Sequence, residues 1–289
     1  MKLRTIALGL LAVSSIATAI PSEFPVLQPA TRLTELFPAL EHAKGPFESR
    51  LEIATLPKGA QTLEYALIDG LPIFEGDIVL PPPARSAPGP DAEWGAVLEA
   101  GVVSRAARLW PGGVIPYSVD DEIPNQSRIG NAIAHWNAVS AIRLVPVSNQ
   151  SDYVRFIHDT SRCASAVGRQ GGEQYIYLSD RCSQGSVMHE IGHTVGLFHE
   201  QSRNDRDEFI IVVWDNIRPG HEFNFNAFGD RGVEAGPYDF SSIMHYDSFA
   251  FAAGEAPTIV QRDSHELIVA NRRALSRGDV AAIESVYRR

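Results

Sequence analysis

The run His189-Glu190-Ile191-Gly192-His193 constrains this chain more than any other feature. On a helix, residues four apart lie one above the other on one face. His189 and His193 therefore present two imidazoles to one metal ion, with Glu190 turned toward a bound water. Gly196 follows three residues after His193. A glycine there ends the helix and lets the chain turn sharply, which brings His199 round as a third ligand. Three nitrogens with one position left open is the coordination of a catalytic zinc, whereas a structural zinc is closed by four protein ligands.

Met244, in Ser242-Ile243-Met244-His245-Tyr246, comes 45 residues after His199. A methionine in a tight turn beneath three histidines is the mark of the metzincin class. Around these motifs the chain reads as α+β. Strands are expected over 115–119, 143–147, 153–158 and 174–178 from their β-branched and aromatic content. A helix over 124–142 carries Ile129, Ile133, Trp136 and Val139 on one side. A second covers 186 to about 195. A last one follows Ser276, an N-cap candidate, with Val280, Ile283 and Val286 toward the core.

Thirty-five acids against 25 bases give a net charge of -10, which argues against a nucleic-acid binder. No interior apolar run approaches the twenty or so residues of a membrane span. Lys2, Arg4, the apolar stretch 6–16 and Ala17-Thr18-Ala19 read as a signal peptide cut near Ala19. An exported chain meets oxidising conditions, so its two cysteines, Cys163 and Cys182, are expected to pair. Of 19 prolines, twelve precede residue 101 and five fall within 81–90. Proline removes donors and fixes φ, so that stretch reads as an exposed linker.

In HEIGHTVGLFHEQSRNDRD the third histidine is followed by glutamate, and in SIMHY a tyrosine stands two after the methionine. With RLWPGGVIPY, VWDNIRPGHEFNF and GPYDFSSIMHY, the chain from Arg108 to Tyr287 resembles the astacin metallopeptidases. The resemblance implies an α+β fold of two lobes. A twisted mixed sheet and the zinc-site helix form the upper lobe, and mostly irregular chain with a C-terminal helix forms the lower. It implies one Zn2+ on His189, His193 and His199, acting on protein or peptide substrates. Glu190 would move the proton. Tyr246 would be a fifth ligand at rest and an oxyanion donor during catalysis. Glu200 would anchor the N-terminus formed on maturation. Phe74-Glu75-Gly76-Asp77 resembles the F-x-G-D motif of astacin propeptides, making Asp77 a metal ligand in the latent form alone.

The implied organisation is a signal peptide over 1–19, a propeptide with its proline linker over 20–100, and a protease domain over 101–289. An activating protease would expose a start near Gly101, or after Arg105. Of two disulfides common in the family, only Cys163–Cys182 has a counterpart, since Ala141 stands where another cysteine belongs. Arg262 and Arg272 fall where the family builds its primed-side pocket, which points to acidic residues after the scissile bond. A secreted, extracellular monomer without a membrane anchor is expected. The alternative is a catalytically silent zinc-containing binding module of the same fold.

Overall fold

A computed structural model describes residues 65–80, 108–229 and 232–287, all within the compact unit Phe37–Arg289. The expected signal peptide, the proline stretch 81–90, and the candidate starts at Gly101 and Arg105 lie outside the described residues.

Period-two burial builds the sheet. In β6 (Tyr153–His158) Val154 and Phe156 are buried, and in β8 (Glu173–Leu178) Gln174, Ile176 and Leu178 are buried. These strands pair in parallel with each other, and β6 pairs in parallel with β4 (Val114–Val119), which in turn takes β5 (Arg143–Pro146). The short β7 (Cys163–Ser165) runs antiparallel to β8. Beyond it lie three strands from upstream: β1 (Ala66–Ile68), β2 (Leu71–Phe74) and β3 (Ile78–Val79). The order is β1-β2-β3-β7-β8-β6-β4-β5, one mixed sheet of eight strands. Residues 65–80 have too little apolar surface for a core of their own. They bury it on the downstream chain instead. Ile73 and Val79 pack on Ala164, while Tyr65, Phe74, Ile78 and Leu80 meet Val167 and Phe198.

Helix α1 (Ser127–Val139) joins β4 to β5 and buries Ile129, Ala132, Ile133 and Trp136. Val139 departs from expectation, being 42% exposed. The buried stripe passes through Trp136 to Ser140, where the helix ends, so Val139 falls on the water side. Helix α2 (Gln184–Val195) is buried on nearly every side from Val187 onward, as a central helix must be. Two tryptophans fasten it. The Trp136 indole donates to Met188 O at 3.0 Å, and the Trp110 indole to Thr194 O at 2.9 Å. Each aromatic body stays in the core and each N–H finds a partner.

The rest of the chain is mostly turns and short 3-10 segments around a second core of Ile210, Phe225, Tyr246, Ile259 and Ile268. One antiparallel pair, β9 (Ile210–Val212) with β10 (Ile259–Gln261), braces it. Helix α3 (Arg277–Tyr287) closes the chain and buries Ile283, with Val280 and Val286 half-buried. Its first turn is a reciprocal cap: Asp279 N donates to Ser276 Oγ and Ser276 N to the Asp279 carboxylate, both at 2.8 Å. The same carboxylate accepts from Ser242 Oγ at 2.6 Å and Ile243 N at 3.0 Å. Hydrogen bonds thus tie α3 to the Met244 turn.

Candidate functional site

Helix α2 presents His189 and His193 one turn apart on a single face. Ser183 caps its start, accepting from Ser186 N at 3.1 Å. Gly196, at φ +120°, ends it. Leu197 N returns to Gly192 O and Gly196 N to His193 O, the paired bonds of a Schellman turn. That reversal carries His199 to the other two histidines. Gly192 has its own reason to be glycine, because a Cβ there would stand 2.6 Å from Met244 Sδ. The methionine turn lies directly under the helix.

The structure brings four predicted residues together. One ligand atom from each of Asp77, His189, His193 and His199 lies within 4.8 Å of all the others. Asp77 Oδ2 is 3.2 Å from His189 Nε2, and Oδ1 is 3.4 Å from His193 Nε2 and 3.2 Å from His199 Nε2. The Asp77 main chain is fixed by Ser165 N of β7, which donates to Asp77 O at 3.0 Å.

The partners of the outer nitrogens decide what this cluster holds. His189 Nδ1 faces Ile243 O at 2.7 Å, His193 Nδ1 faces Leu197 O at 2.8 Å, and His199 Nδ1 faces Glu75 Oε2 at 2.8 Å. Each acceptor assigns the proton to Nδ1, leaving each Nε2 a lone pair. Three lone pairs and a carboxylate then converge in a buried space. His193 Nε2 and Asp77 Oδ1 have no hydrogen-bond partner among the described residues. Lone pairs facing one another are repulsive unless a cation stands between them. Burial and charge act on these rings in opposite directions. Burial lowers His189 to about 3. His199 rises to about 9 because, against burial, it faces the charge of Asp77 and hydrogen bonds to Asp77 and Glu75; the two carboxylates draw positive charge to this ring, as a proton or as a metal cation in its place. The donor set, three imidazoles and one carboxylate oxygen, suits zinc.

Glu190 is 2% exposed beside this cluster, and its Oε2 has no partner among the described residues. Burial, and then the charge of Asp77, push its carboxyl well above the usual range. The Tyr246 hydroxyl donates to the main-chain oxygen of Glu75. A cleft cavity of about 110 Å³ opens here, with Asp77, Glu190, Tyr246, Phe251 and Arg272 on its walls. Arg272 donates to Ile243 O at 2.7 Å, under the histidines. Arg262 does not line this cavity. It bonds to Phe209 O and Ile210 O along the β9–β10 pair, because β10 ends at Gln261 and carries it off with the second core. Glu200 lies on the far side of His199, accepting from Asp239 N at 2.8 Å and from Arg203 at 3.1 Å. Burial raises it to about 7.

Three contributors escape a reading of the sequence. Glu75 occupies the variable position of its motif, which carries no signal. Arg162 reaches from beside the disulfide to Ile68 O at 2.9 Å and to the Asp69 carboxylate at 3.1 Å. Arg128 is 5% exposed on α1 and donates to Ser179 O at 2.8 Å and to Cys182 O, fastening the loop before α2. The Cys163–Cys182 disulfide is present and ties β7 to that loop.

Residues 102–288 match the family described as Astacin (Peptidase family M12A). Human tolloid-like protein 1 is 36% identical over 201 residues, covering 64% of this chain and 19% of its own length. Zinc metalloproteinase nas-4 of Caenorhabditis elegans is 34% identical over 220 residues, 74% of this chain and 68% of its own. Among solved structures, high choriolytic enzyme 1, a hatching enzyme zinc-protease from medaka (Oryzias latipes), aligns with a TM-score of 0.58 at 30% identity. That alignment covers 63% of this chain and 95% of the medaka chain. The chain thus spans about a fifth of the length of the tolloid-like relative.

Proposed function

The chain belongs to the astacin family of zinc metalloendopeptidases, and from that premise we propose that it is a secreted enzyme made as a latent precursor. Asp77 closes the metal site until the upstream chain is removed. One observation carries this reading. Asp77 lies outside the 102–288 match, yet its carboxylate faces all three imidazoles at 3.2 to 3.4 Å. A carboxylate there takes the position a catalytic water needs. The organisation that follows is a signal peptide over 1–19, a propeptide over 20–100 and a protease over 101–289. An activating protease acts on the junction.

His189, His193 and His199 are assigned to one zinc ion. Zinc in such a site polarises a scissile carbonyl and lowers the pKa of water. The chain supplies the rest. Glu190 takes the proton of the attacking water and passes it to the leaving amine. Its repulsion from Asp77 disappears with the propeptide, which favours the basic form. Tyr246, released from Glu75 O, donates to the oxyanion. Glu200, Asp239 and Asp279 border a cavity of about 50 Å³. Arg203 already pairs with Glu200 there, and a new N-terminal ammonium would add a second positive charge beside three carboxylates. Arg272, half-buried in the cleft, favours an aspartate or glutamate immediately after the scissile bond.

The test is casein hydrolysis before and after removal of the upstream chain, with and without 1,10-phenanthroline, together with N-terminal sequencing of the secreted product. Phenanthroline-sensitive hydrolysis confined to the processed protein supports the reading. A processed protein that holds zinc but cleaves nothing favours the silent binding module. A peptide-library profile without acidic enrichment after the cleaved bond removes the role given to Arg272.

A further inference from the structure

Metal-binding imidazoles are oriented by what their other nitrogen holds, and such partners commonly change metal affinity ten- to a hundredfold. Here the three outer partners differ in origin. Ile243 O and Leu197 O, on His189 and His193, belong to the matched protease region. The partner of His199 is the carboxylate of Glu75, which lies upstream of it. Glu75 is 0% exposed, and Ser202 Oγ also donates to its Oε2, at 3.2 Å. Its Oε1 has no partner among the described residues. Its backbone stands at φ +47°, a conformation that few non-glycine residues adopt. A buried carboxylate on a left-handed residue is unfavourable on both counts unless something in the site compensates for it. That compensation is His199 Nδ1, 2.8 Å from Glu75 Oε2. Asp77 and Glu75 together bring two carboxyl groups to three imidazoles, a set of donors and charges that suits a buried dication.

We propose that Glu75 is a positioning residue. In the precursor its carboxylate holds the third metal-binding imidazole, and it leaves with the propeptide. This rests on the latent-precursor reading and extends it. The propeptide does more than cover the metal with Asp77, because it also completes the support of His199. The precursor therefore holds zinc more tightly than the processed enzyme by more than the loss of Asp77 alone explains.

The experiment compares zinc transfer to a competing chelator from full-length precursors: wild type, Glu75→Gln, Glu75→Ala and Asp77→Ala. The expected result is at least tenfold weaker zinc retention in Glu75→Ala, with Glu75→Gln intermediate. Proton NMR of the zinc-loaded precursor supplies a second readout. The His199 Nδ1 proton should move upfield in Glu75→Gln and be lost to exchange in Glu75→Ala. After processing, wild type and both Glu75 variants have one and the same sequence. Equal activity then shows that the protease part of each variant had folded. Wild-type zinc retention and an unmoved Nδ1 proton in both Glu75 variants would overturn the proposal. The Asp77→Ala precursor reads latency separately. If it stays silent while the Glu75 variants lose zinc, the latency reading fails and the support of His199 stands.

Discussion

The ring of Phe251 lies so close to Gly76 that a Cβ there would stand 2.6 Å from Cζ. Gly76 also sits at φ +80°, where a side chain is strained even in open space. Phe251 has little freedom to retreat, because it stacks on His221 at 5.3 Å and packs against Phe225 and Tyr246. The turn that aims Asp77 therefore requires glycine on two independent grounds. Gly76→Ala should weaken closure by about 1–2 kcal/mol, or roughly tenfold in the open fraction. Cleavage of a quenched peptide by uncut precursor measures this. A Gly76→Ala precursor as silent as wild type would count against the close fit as a latency determinant.

Glu190 is placed to transfer protons, and its Oε2 has no structural bond to lose. Glu190→Gln in the processed protein should therefore abolish peptide hydrolysis, a drop of at least about a hundredfold, while zinc stays at one per chain. Metal analysis alongside kinetics separates the two effects. Stoichiometric zinc with an undiminished rate would refute the assigned role.

The disulfide between Cys163 and Cys182 closes a loop of 19 residues and joins β7 to the segment before α2. Replacing both cysteines by alanine should cost about 3 kcal/mol through loop entropy, read as a lower urea midpoint. The bridged strand also holds Asp77 O, through Ser165 N. The double variant should accordingly leak activity before processing. Unchanged stability would mean that the unfolded chain gains nothing from the open loop.

The site was legible because its geometry is local. His189, His193, Gly196 and His199 lie within eleven consecutive residues, and helix period plus one left-handed glycine places them. The strands 153–158 and 174–178 were legible from their β-branched and aromatic content, and the start of α3 from its Ser276 cap. What stayed hidden depends on contacts far apart in sequence. Nothing local to Glu75 tells that its carboxylate meets His199, 124 residues on. The pairing of Ile78 with Ser165 joins a two-residue strand to a three-residue one, too short for periodicity to register. Helical spacing gives a face but not where the helix stops, and Val139 lies on the water side. Arg262 and Arg272 look alike in sequence, and only the β9–β10 pairing, which draws Arg262 aside, separates them.

Asp159 offers a prediction in pH. Its carboxylate accepts from Ser161 N at 2.8 Å, Arg162 N at 2.9 Å and Arg162 Nε at 2.8 Å. Burial acts to raise its pKa, but these bonds and the charge of Arg162 outweigh it, and the group is held below its ordinary value. A carboxyl depressed by folding contributes stability that is fully present above its unfolded pKa, near 4, and is lost as pH falls through the folded value. Asp159→Asn should therefore cost about 1.5 kcal/mol at pH 7, and the gap to wild type should narrow as pH falls through the depressed folded value. The fixed Arg162 also holds Ile68 O and Asp69 on the hairpin that precedes Asp77. The cost at pH 7 should thus be larger in the full precursor than in the processed chain, which lacks that hairpin. Urea unfolding of both forms at pH 7 and pH 3 measures all four values. An equal loss in precursor and processed protein would sever Asp159 from latency, and a loss that persists undiminished at pH 3 would show that its ionisation is not the cause.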